Sequence, residues 1–339
     1  MASSCSAASP PCKLVALCSD SKSDVQSTMK KILVLGGTGF VGTQVCKSLA
    51  ELDVQLTVPT RQMERSRTVA SMPGTTVLPL DVHDEVALTG ALAGHDAVVN
   101  LIAILHGTPA AFERVHVALP QKLLRACVAS GVRRMVHVSA LGVDDLKPDS
   151  APSEYLRSKG RGEAALLHPV IPHPGLNITV LRPSVIFGAA DKFLNMFAKL
   201  QQVFPVMPLA GAHARFQPVW VDDVAQAVLR CLQMPHEARS AQLFEACGPN
   251  VFTLKQLVQL SARLRGINGG RGRPIIALPS WMGYAQALMM ELAPGEPLMS
   301  RDNLDSMKTD NVATGKVPGL DALGIRPAAL EPIARNYLR

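Results

Sequence analysis

A glycine-rich segment near the start of the chain has the residue types needed to bind a phosphate-bearing ligand. The segment Gly36-Gly-Thr-Gly39-Phe-Val-Gly42 follows the apolar run Lys31–Leu35 and opens a stretch with helical periodicity. Gly36 permits a tight turn, Gly39 lets backbone N–H groups approach a pyrophosphate, and Gly42 lets the helix pack close to a sheet. The helix N terminus itself favours an anion. We therefore predict a dinucleotide site with contacts from Gly36, Thr38, Gly39, Phe40, Val41 and Gly42.

The residues after the second apolar run indicate which dinucleotide is bound. A site for NAD(H) usually has Asp or Glu there, about 20 residues after the first glycine. This chain has Val58-Pro-Thr-Arg61 instead, followed by Arg65 and Arg67. A guanidinium binds a 2′-phosphate through charge-assisted hydrogen bonds, whereas a carboxylate repels it. The sequence thus predicts NADP(H), with Arg61 as phosphate ligand and NAD(H) as the less favoured cofactor; the other interpretation makes Arg61 an ordinary surface charge.

Later strand ends are predicted to complete the cofactor site. In open α/β sheets, ligands bind at the carboxyl ends of the strands. The third predicted strand ends at the adenine edge of such a ligand, and the fourth ends beneath its ribose and nicotinamide. The predicted contacts from these strand ends, and from the end of the sixth strand, are Asp81, Val82, Asn100, Leu101, Ile102 and Pro183.

Short apolar runs alternate with helical stretches from Lys31 onward, a pattern typical of βαβ units. Strands buried on both faces of a parallel sheet are continuously apolar, as several of these runs are. The predicted strands are Lys31–Leu35, Val54–Pro59, Thr76–Leu80, Ala97–Ile102, Arg134–Ser139 and Ile178–Pro183, and the predicted helices include Gly42–Leu52, Pro120–Ser130, Asp191–Val203, Thr253–Leu264 and Trp281–Leu292. The predicted fold class is α/β: a Rossmann-like doubly wound parallel sheet with a small C-terminal α/β lobe.

Three regions are predicted along the chain. Residues 1–28 form a disordered extension, residues 29–190 the dinucleotide-binding domain, and residues 191–339 a C-terminal lobe interleaved with it on the substrate or partner side. The first 28 residues contain no Arg, which argues against an Arg-rich mitochondrial presequence, but they are rich in Ser, Ala and Cys. The alternatives to a disordered extension are a Ser-rich organellar leader and an upstream start codon, with Met29 as the natural beginning. In the lobe, the predicted helix Trp281–Leu292 is apolar almost all round; it is either core, or it docks on a partner or a membrane surface.

Composition limits the classes of function. The chain has 339 residues, 47% of them hydrophobic and 18% charged, which is typical of a globular protein. The net charge of +7 is scattered, and the 4% of aromatic residues argue against a nucleic-acid stacking platform, so no nucleic-acid partner is predicted. Seven widely spaced cysteines and nine histidines without metal-ligand spacing predict reduced thiols and no metal site.

The motifs together resemble the extended and atypical short-chain dehydrogenase/reductase superfamily, which includes NAD-dependent epimerases and dehydratases. The resemblance covers about Lys31 to Arg230. Within the superfamily the chain is similar to the nucleotide-binding accessory subunits of respiratory complex I and to their bacterial relatives. Besides the glycine-rich segment, the supporting motifs are Val136-His-Val-Ser139, Tyr155-Leu-Arg-Ser-Lys159, Arg182-Pro-Ser-Val-Ile-Phe-Gly188 and Val219-Trp-Val-Asp-Asp-Val224.

The resemblance implies roles for Tyr155 and Lys159, which share one face of a helix at positions i and i+4. In the superfamily this lysine lowers the phenol pKa and binds the nicotinamide ribose, so that the tyrosine exchanges a proton with substrate. The third member is a Ser or Thr near the end of the fifth strand. Its usual place is taken here by Ala140 and Leu141, so either Ser139 takes over its role or the catalytic hydroxyl is missing. The same tyrosine and lysine can also serve solely to hold the cofactor.

Three functional hypotheses follow. The leading one is an NADP(H)-binding protein whose cofactor is structural or regulatory and whose C-terminal lobe meets a respiratory complex or the membrane surface. The second is an active oxidoreductase or epimerase with Tyr155 as proton donor and Lys159 as the group that tunes it. The third is a redox-sensing regulator. The expected location is the cytoplasm, at the periphery of the inner membrane, or an organellar matrix if the N-terminal extension is a leader.

Overall fold

A computed structural model describes residues 29–170, 175–235, 241–295 and 297–338. The predicted extension at residues 1–28 lies outside the described residues. The strands, in chain order, are β1 (Lys31–Leu35), β2 (Gln55–Thr60), β3 (Thr75–Pro79), β4 (Ala97–Asn100), β5 (Arg134–Val138), β6 (Asn177–Pro183), β7 (Ile186–Phe187), β8 (Met207–Leu209), β9 (Arg215–Phe216), β10 (Val219–Trp220), β11 (Ala241–Ala246), β12 (Phe252–Thr253) and β13 (Ile275–Ala277).

Helices flank the strands on both sides. They are α1 (Phe40–Ala50), α2 (Arg67–Ala70), α3 (Glu85–Leu92), α4 (Pro109–Phe112), α5 (Leu119–Ser130), α6 (Glu154–Leu167), α7 (Leu194–Val203), α8 (Val221–Gln233), α9 (Leu254–Leu264), α10 (Ser280–Leu292), α11 (Arg301–Ser306) and α12 (Leu330–Tyr337). A π-helical segment, Glu113–Ala118, joins α4 to α5, and short 3₁₀ turns lie at Met63–Ser66, Pro148–Ser150 and Leu320–Leu323.

A seven-stranded parallel sheet in the order β11-β6-β5-β4-β1-β2-β3 forms the centre of the fold. The chain runs outward from β1 to β3 and then returns to β4 on the other side of β1. The strand order therefore reverses between β1 and β4, and a crevice opens there at the carboxyl ends of the strands. The predicted fold class is confirmed, and the sheet delivers the ends of β1, β2 and β4 to one edge.

The core lies on both faces of the sheet because side chains alternate along each strand. In β1, Ile32 and Val34 pack with α1 and α8, while Leu33 and Leu35 pack with α3 and α5 on the opposite face. These four side chains are at most 1% exposed, whereas Lys31, the first residue of β1, is exposed. Gly131, with φ of +72°, ends α5 in the left-handed conformation that glycine adopts without strain.

Several predicted boundaries were wrong for local reasons. β4 ends at Asn100 instead of Ile102 because the Asn100 side chain itself accepts the Ile102 N–H at 3.2 Å. α1 begins at Phe40, two residues before the predicted Gly42. α7 begins at Leu194 because the Asp191 carboxylate accepts the N–H groups of Phe193 and Leu194, which places Asp191 before the helix. Strand β11 was not predicted.

The C-terminal part of the chain both completes the sheet and builds a small lobe. β11 joins the central sheet beside β6, whereas β7 pairs with β10, β8 with β13, and β9 with β12. Helices α7, α9 and α12 share one apolar cluster that includes Leu194, Leu257 and Leu330. Among the described helices, none is both long and apolar enough to cross a membrane. The division of the chain at residue 190 stays a prediction.

Candidate functional site

The glycine-rich turn between β1 and α1 is built by close backbone contacts. Gly36 has φ of +78°, and its carbonyl accepts the Gly39 N–H at 3.0 Å. A Cβ added to Gly42 would lie 2.1 Å from the Gly36 oxygen, so only glycine fits at the start of the helix. No described side chain caps α1, whose N-cap residue is Gly39. The first-turn N–H groups therefore face the crevice, where an anion can accept them.

The turn also touches the end of β4. A Cβ at Gly36 would meet the Leu101 carbonyl carbon at 3.2 Å and the Ile102 side chain at 3.3 Å. Asn100 is 1% exposed; its side chain accepts the Ile102 N–H and donates to Nδ1 of His137 at 3.0 Å. The structure thus brings Asn100, Leu101 and Ile102 against the glycine turn.

The end of β2 presents positive charge to solvent. Arg61 follows Thr60 directly, and Arg61, Arg65 and Arg67 are all exposed. The pKa of Asp81, at the end of β3, is lowered first by the His83 N–H that it accepts, with smaller effects from the nearby guanidinium groups, among them that of Arg61. Arg61 and Asp81 therefore lie at the same corner of the crevice.

The remaining predicted contacts differ in orientation. The Val82 side chain is buried in the core, so only its backbone is available to a ligand. The Phe40 ring lies beside Gly188, where an added Cβ would approach it to 3.2 Å. Pro183 is buried, and its carbonyl accepts the Leu141 N–H at 3.0 Å, so β6 ends next to the segment after β5. Thr38 is half-buried within the glycine turn.

Tyr155 and Lys159 both lie on α6, but the amino group of Lys159 is engaged elsewhere. Lys159 is 2% exposed and its Nζ donates to the Val138 carbonyl at 3.1 Å. Burial lowers the pKa of Lys159 to about 8, an effect that the Glu163 carboxylate opposes. Burial and the Asp302 carboxylate raise the pKa of Tyr155 to about 12. In this structure the phenol is therefore protonated at neutral pH.

The predicted serine lies deeper than the phenol. Ser139 is 5% exposed, and its hydroxyl lies toward the Glu163 carboxylate, whose pKa it helps to lower against the dominant effect of burial. Ala140 and Leu141 are also buried, and Ala140 packs in a small apolar cluster against Tyr155. The strand end beside the phenol is thus apolar.

The C-terminal lobe covers the start of α6. The carboxylate of Asp302 accepts the Glu154 N–H at 2.7 Å and the Tyr155 N–H at 3.1 Å. The hydroxyls of Ser306 and Ser153 are 2.8 Å apart. Asp302 thereby satisfies two N–H groups of the first helical turn, which have no partner within the helix.

Two residues at the site were not predicted from the sequence. Asp302 lies far along the chain from α6, and no local pattern marks it. His116 is 2% exposed in the π-helical segment, and its ring packs edge-on to the Tyr155 ring with centroids 5.5 Å apart. The signal available in the sequence was a histidine flanked by two apolar residues, Val115 and Val117. Across the described ranges, no group of three or more His, Cys, Asp or Glu could hold a metal ion.

Comparison with known proteins identifies the family. Residues 32–247 match the NAD dependent epimerase/dehydratase family. The chain belongs to this family. It is 31% identical over 319 residues to NADH dehydrogenase (ubiquinone) 1 alpha subcomplex subunit 9, mitochondrial, of Mus musculus, covering 90% of this chain and 79% of the relative. The resemblance drawn from the motifs is confirmed.

Solved structures share the epimerase/dehydratase fold. An NADPH-dependent quinone oxidoreductase from Escherichia coli, complexed with NADPH, has a TM-score of 0.69 at 21% identity over 91% of this chain and 100% of its own. UDP-glucose 4-epimerase of Thermus thermophilus, in complex with NAD, has a TM-score of 0.64 at 18% identity over 91% of this chain and 98% of its own. At these identities the likeness shows the fold alone.

The contact at Gly42 leads to a first prediction. Gly42→Ala places a methyl group where backbone already lies, so we expect destabilisation by about 1–3 kcal/mol and loss of dinucleotide affinity. Gly90→Ala in α3 is the matched control because nothing lies within 4 Å of its added Cβ, and alanine should stabilise that helix. Denaturant unfolding and NADPH titration measure both effects. Unchanged affinity in Gly42→Ala would show that the ligand does not use this turn.

Proposed function

We propose that this protein binds a nicotinamide dinucleotide at the carboxyl edge of its sheet, prefers NADP(H), and holds it for a structural or regulatory purpose within a respiratory assembly. The site of binding is supported by the glycine turn, by the uncapped start of α1 and by the adjoining end of β4. Solved relatives with this fold carry NADPH or NAD. The similarity to a mitochondrial NADH dehydrogenase subunit supports the respiratory context.

The preference for NADP(H) rests on charge at the end of β2. A 2′-phosphate extending from the adenosine ribose would meet Arg61, with Arg65 and Arg67 close by in sequence. The residue that ends β2 is Thr60, whose hydroxyl accepts the Gln62 N–H at 3.1 Å. A carboxylate at this place would bind the 2′-OH of NAD(H) and repel a phosphate. The end of β2 supplies guanidinium groups in its place.

The observation that supports a structural role for the cofactor is the raised pKa of the Tyr155 phenol. A general acid or base works best with a pKa near the ambient pH, and here burial and Asp302 raise the phenol pKa to about 12. The Lys159 ammonium is bonded to Val138, and the strand end beside the phenol offers Ala140 and Leu141 instead of a hydroxyl. These features support holding a cofactor over proton transfer to a substrate.

Two alternatives to this function are each supported by one observation. An active NADP-dependent oxidoreductase or epimerase is supported by the presence of Tyr155 and Lys159 four residues apart on α6. In that case Tyr155 donates the proton and Lys159 tunes its pKa. A redox-sensing regulator is supported by the contact of Asp302 with α6, because a ligand that shifts α6 would also shift the C-terminal lobe.

The partner surface that we propose is the exposed face of α10. Trp281 is 72% exposed, Met289 74% and Leu292 78%, while Gly283 and Ala287 on the opposite side are buried. Three large apolar side chains exposed on one side of a helix support an interaction site there. We propose a subunit of a respiratory complex as its occupant, since the relatives are named as mitochondrial subunits of NADH dehydrogenase (ubiquinone) and of NADH-ubiquinone oxidoreductase. The protein would then lie at the inner-membrane periphery on the matrix side, and the cytoplasmic location remains the alternative.

Arg61→Ser tests the cofactor preference. Loss of a charge-assisted hydrogen bond of about 1.5–3 kcal/mol should weaken NADPH binding roughly tenfold or more and leave NADH binding unchanged. Arg230→Ser, an exposed arginine on the last turns of α8, serves as control. Isothermal titration with both cofactors measures the ratio. Equal losses for NADPH and NADH would rule out Arg61 as the phosphate ligand.

Tyr155→Phe tests the structural role. The purified protein should retain NADPH and should not oxidise it when carbonyl substrates are added, and the variant should behave identically in NADPH fluorescence. Tyr284→Phe in α10, which loses a hydroxyl bonded to Asp305, is the matched control. Turnover by the wild type that disappears only in Tyr155→Phe would establish the enzyme instead.

The double variant Trp281→Ser, Met289→Ser tests the docking face. Loss of two large apolar contacts should weaken binding to purified respiratory complex I at least about tenfold, with NADPH affinity unchanged. Val86→Ser on α3, a side chain 84% exposed, is the control. Cross-linking from residue 281 identifies the contacted subunit. Binding to phosphatidylglycerol vesicles that equals binding to the complex would replace the protein partner with a membrane surface.

A further inference from the structure

His116 makes two hydrogen bonds to two different parts of the site. Its Nε2 accepts the backbone N–H of Ile104 at 3.1 Å, in the segment that follows β4. Its Nδ1 lies 2.9 Å from Oγ of Ser158 on α6. The imidazole therefore bridges the segment that begins with Leu101 and Ile102 to the helix that carries Tyr155.

The hydrogen-bond pattern determines which ring nitrogen carries the proton. The Ser158 hydroxyl donates its single proton to the Tyr155 carbonyl at 2.9 Å, so its oxygen accepts from His116. Nδ1 is consequently the protonated nitrogen, and Nε2 accepts from Ile104. Burial lowers the pKa of His116 to about 2, with further lowering by Lys159 and His137, so the ring stays neutral.

The backbone at His116 is held against the same helix. A Cβ added to Gly162 of α6 would lie 1.9 Å from the His116 carbonyl oxygen, so the π-helical segment packs directly on α6. The ring also packs against both Phe112 and Tyr155, with ring centroids 5.5 Å away in each case, and those two rings contact each other with centroids 6.3 Å apart. The imidazole consequently cannot move relative to α6 without breaking several contacts.

We propose that His116 is a positioning residue that ties the Leu101–Ile104 segment to α6, so that a dinucleotide bound against that segment sets the position of Tyr155. The proposal rests on the proposed dinucleotide site. It follows from an unbroken series of contacts between the dinucleotide site and α6. The glycine turn contacts Leu101 and Ile102, Ile104 is hydrogen-bonded to His116, and His116 is hydrogen-bonded to Ser158. Because both ring nitrogens are occupied, His116 exchanges no proton with a ligand.

The first test uses the ligand-free protein. Nitrogen-15 NMR of the imidazole should show a protonated Nδ1 and an unprotonated Nε2, unchanged between pH 5 and pH 8. In His116→Leu, the Ile104 amide should exchange with deuterium about tenfold faster, as expected for loss of one hydrogen bond. His116→Gln, which keeps an acceptor and a donor, should restore protection. A ring protonated on Nε2, or an unchanged rate of deuterium exchange at the Ile104 amide in His116→Leu, would show that His116 does not link the Leu101–Ile104 segment to α6.

The second test adds NADPH and follows deuterium exchange in α6. NADPH should increase protection at residues 153–160 in the wild type but not in His116→Leu. Ser158→Ala removes the His116–Ser158 bond, together with the bond from Ser158 to the Tyr155 carbonyl within α6, and leaves the Ile104–His116 bond in place. It should therefore keep Ile104 protected and still lose the α6 response. An equal response in all variants would overturn the coupling, because a merely structural histidine would not alter it. A wild type that binds no NADPH would overturn both the proposed function and the coupling of the ligand to α6. The ligand-free test would still decide separately whether His116 links the Leu101–Ile104 segment to α6.

Discussion

The contact between the first turn of α1 and the carbonyl of Gly36 is the constraint on which the crevice depends. At 2.1 Å from that oxygen, no side-chain carbon can exist on residue 42, and the helix is therefore pressed onto the end of β1. The N-cap residue of α1 is Gly39, which has no side chain to cap the helix, and the start of α1 lies at the gap between β1 and β4. A helix end with unsatisfied N–H groups and a partial positive charge is stable when an anion or water satisfies it. The packing of the fold thus creates a place for a phosphate.

Helix α6 is fixed from three directions, and this fixes the orientation of the candidate site. On its buried face, Arg182 contacts Glu163 at 2.5 Å and Asp145 at 2.6 Å, a charged cluster that compensates the burial of Glu163. The π-helical segment packs on Gly162, and Asp302 binds the first turn. Because these anchors come from β6, from the segment before α5 and from the C-terminal lobe, the helix integrates regions that are distant in sequence.

The sequence predicted the features that depend on local pattern and missed those that depend on distant contacts. Glycine spacing, continuous apolar strands and the left-handed Gly131 are local, and the sheet and its glycine turn followed from them. Strand β11 was not predicted because the polar residues Gln242 and Glu245 interrupt its apolar pattern. The Glu245 side chain is buried in the fold, where Thr314 donates two hydrogen bonds of 2.8 Å to its carboxylate. Asp302 caps a helix that begins 148 residues earlier in the chain, and no short-range pattern encodes that contact.

The docking of Asp302 and the activation of Tyr155 oppose each other electrostatically. The N terminus of α6 carries a partial positive charge, which by itself would favour a phenolate on the first turn. Burial raises the pKa of Tyr155, and the Asp302 carboxylate, which neutralises the helix charge and adds a negative charge beside the phenol, raises it further. The Lys159 ammonium donates to the Val138 carbonyl. As long as α11 stays on α6, Tyr155 is therefore suited to donate a hydrogen bond to a bound ligand and poorly suited to give up its proton.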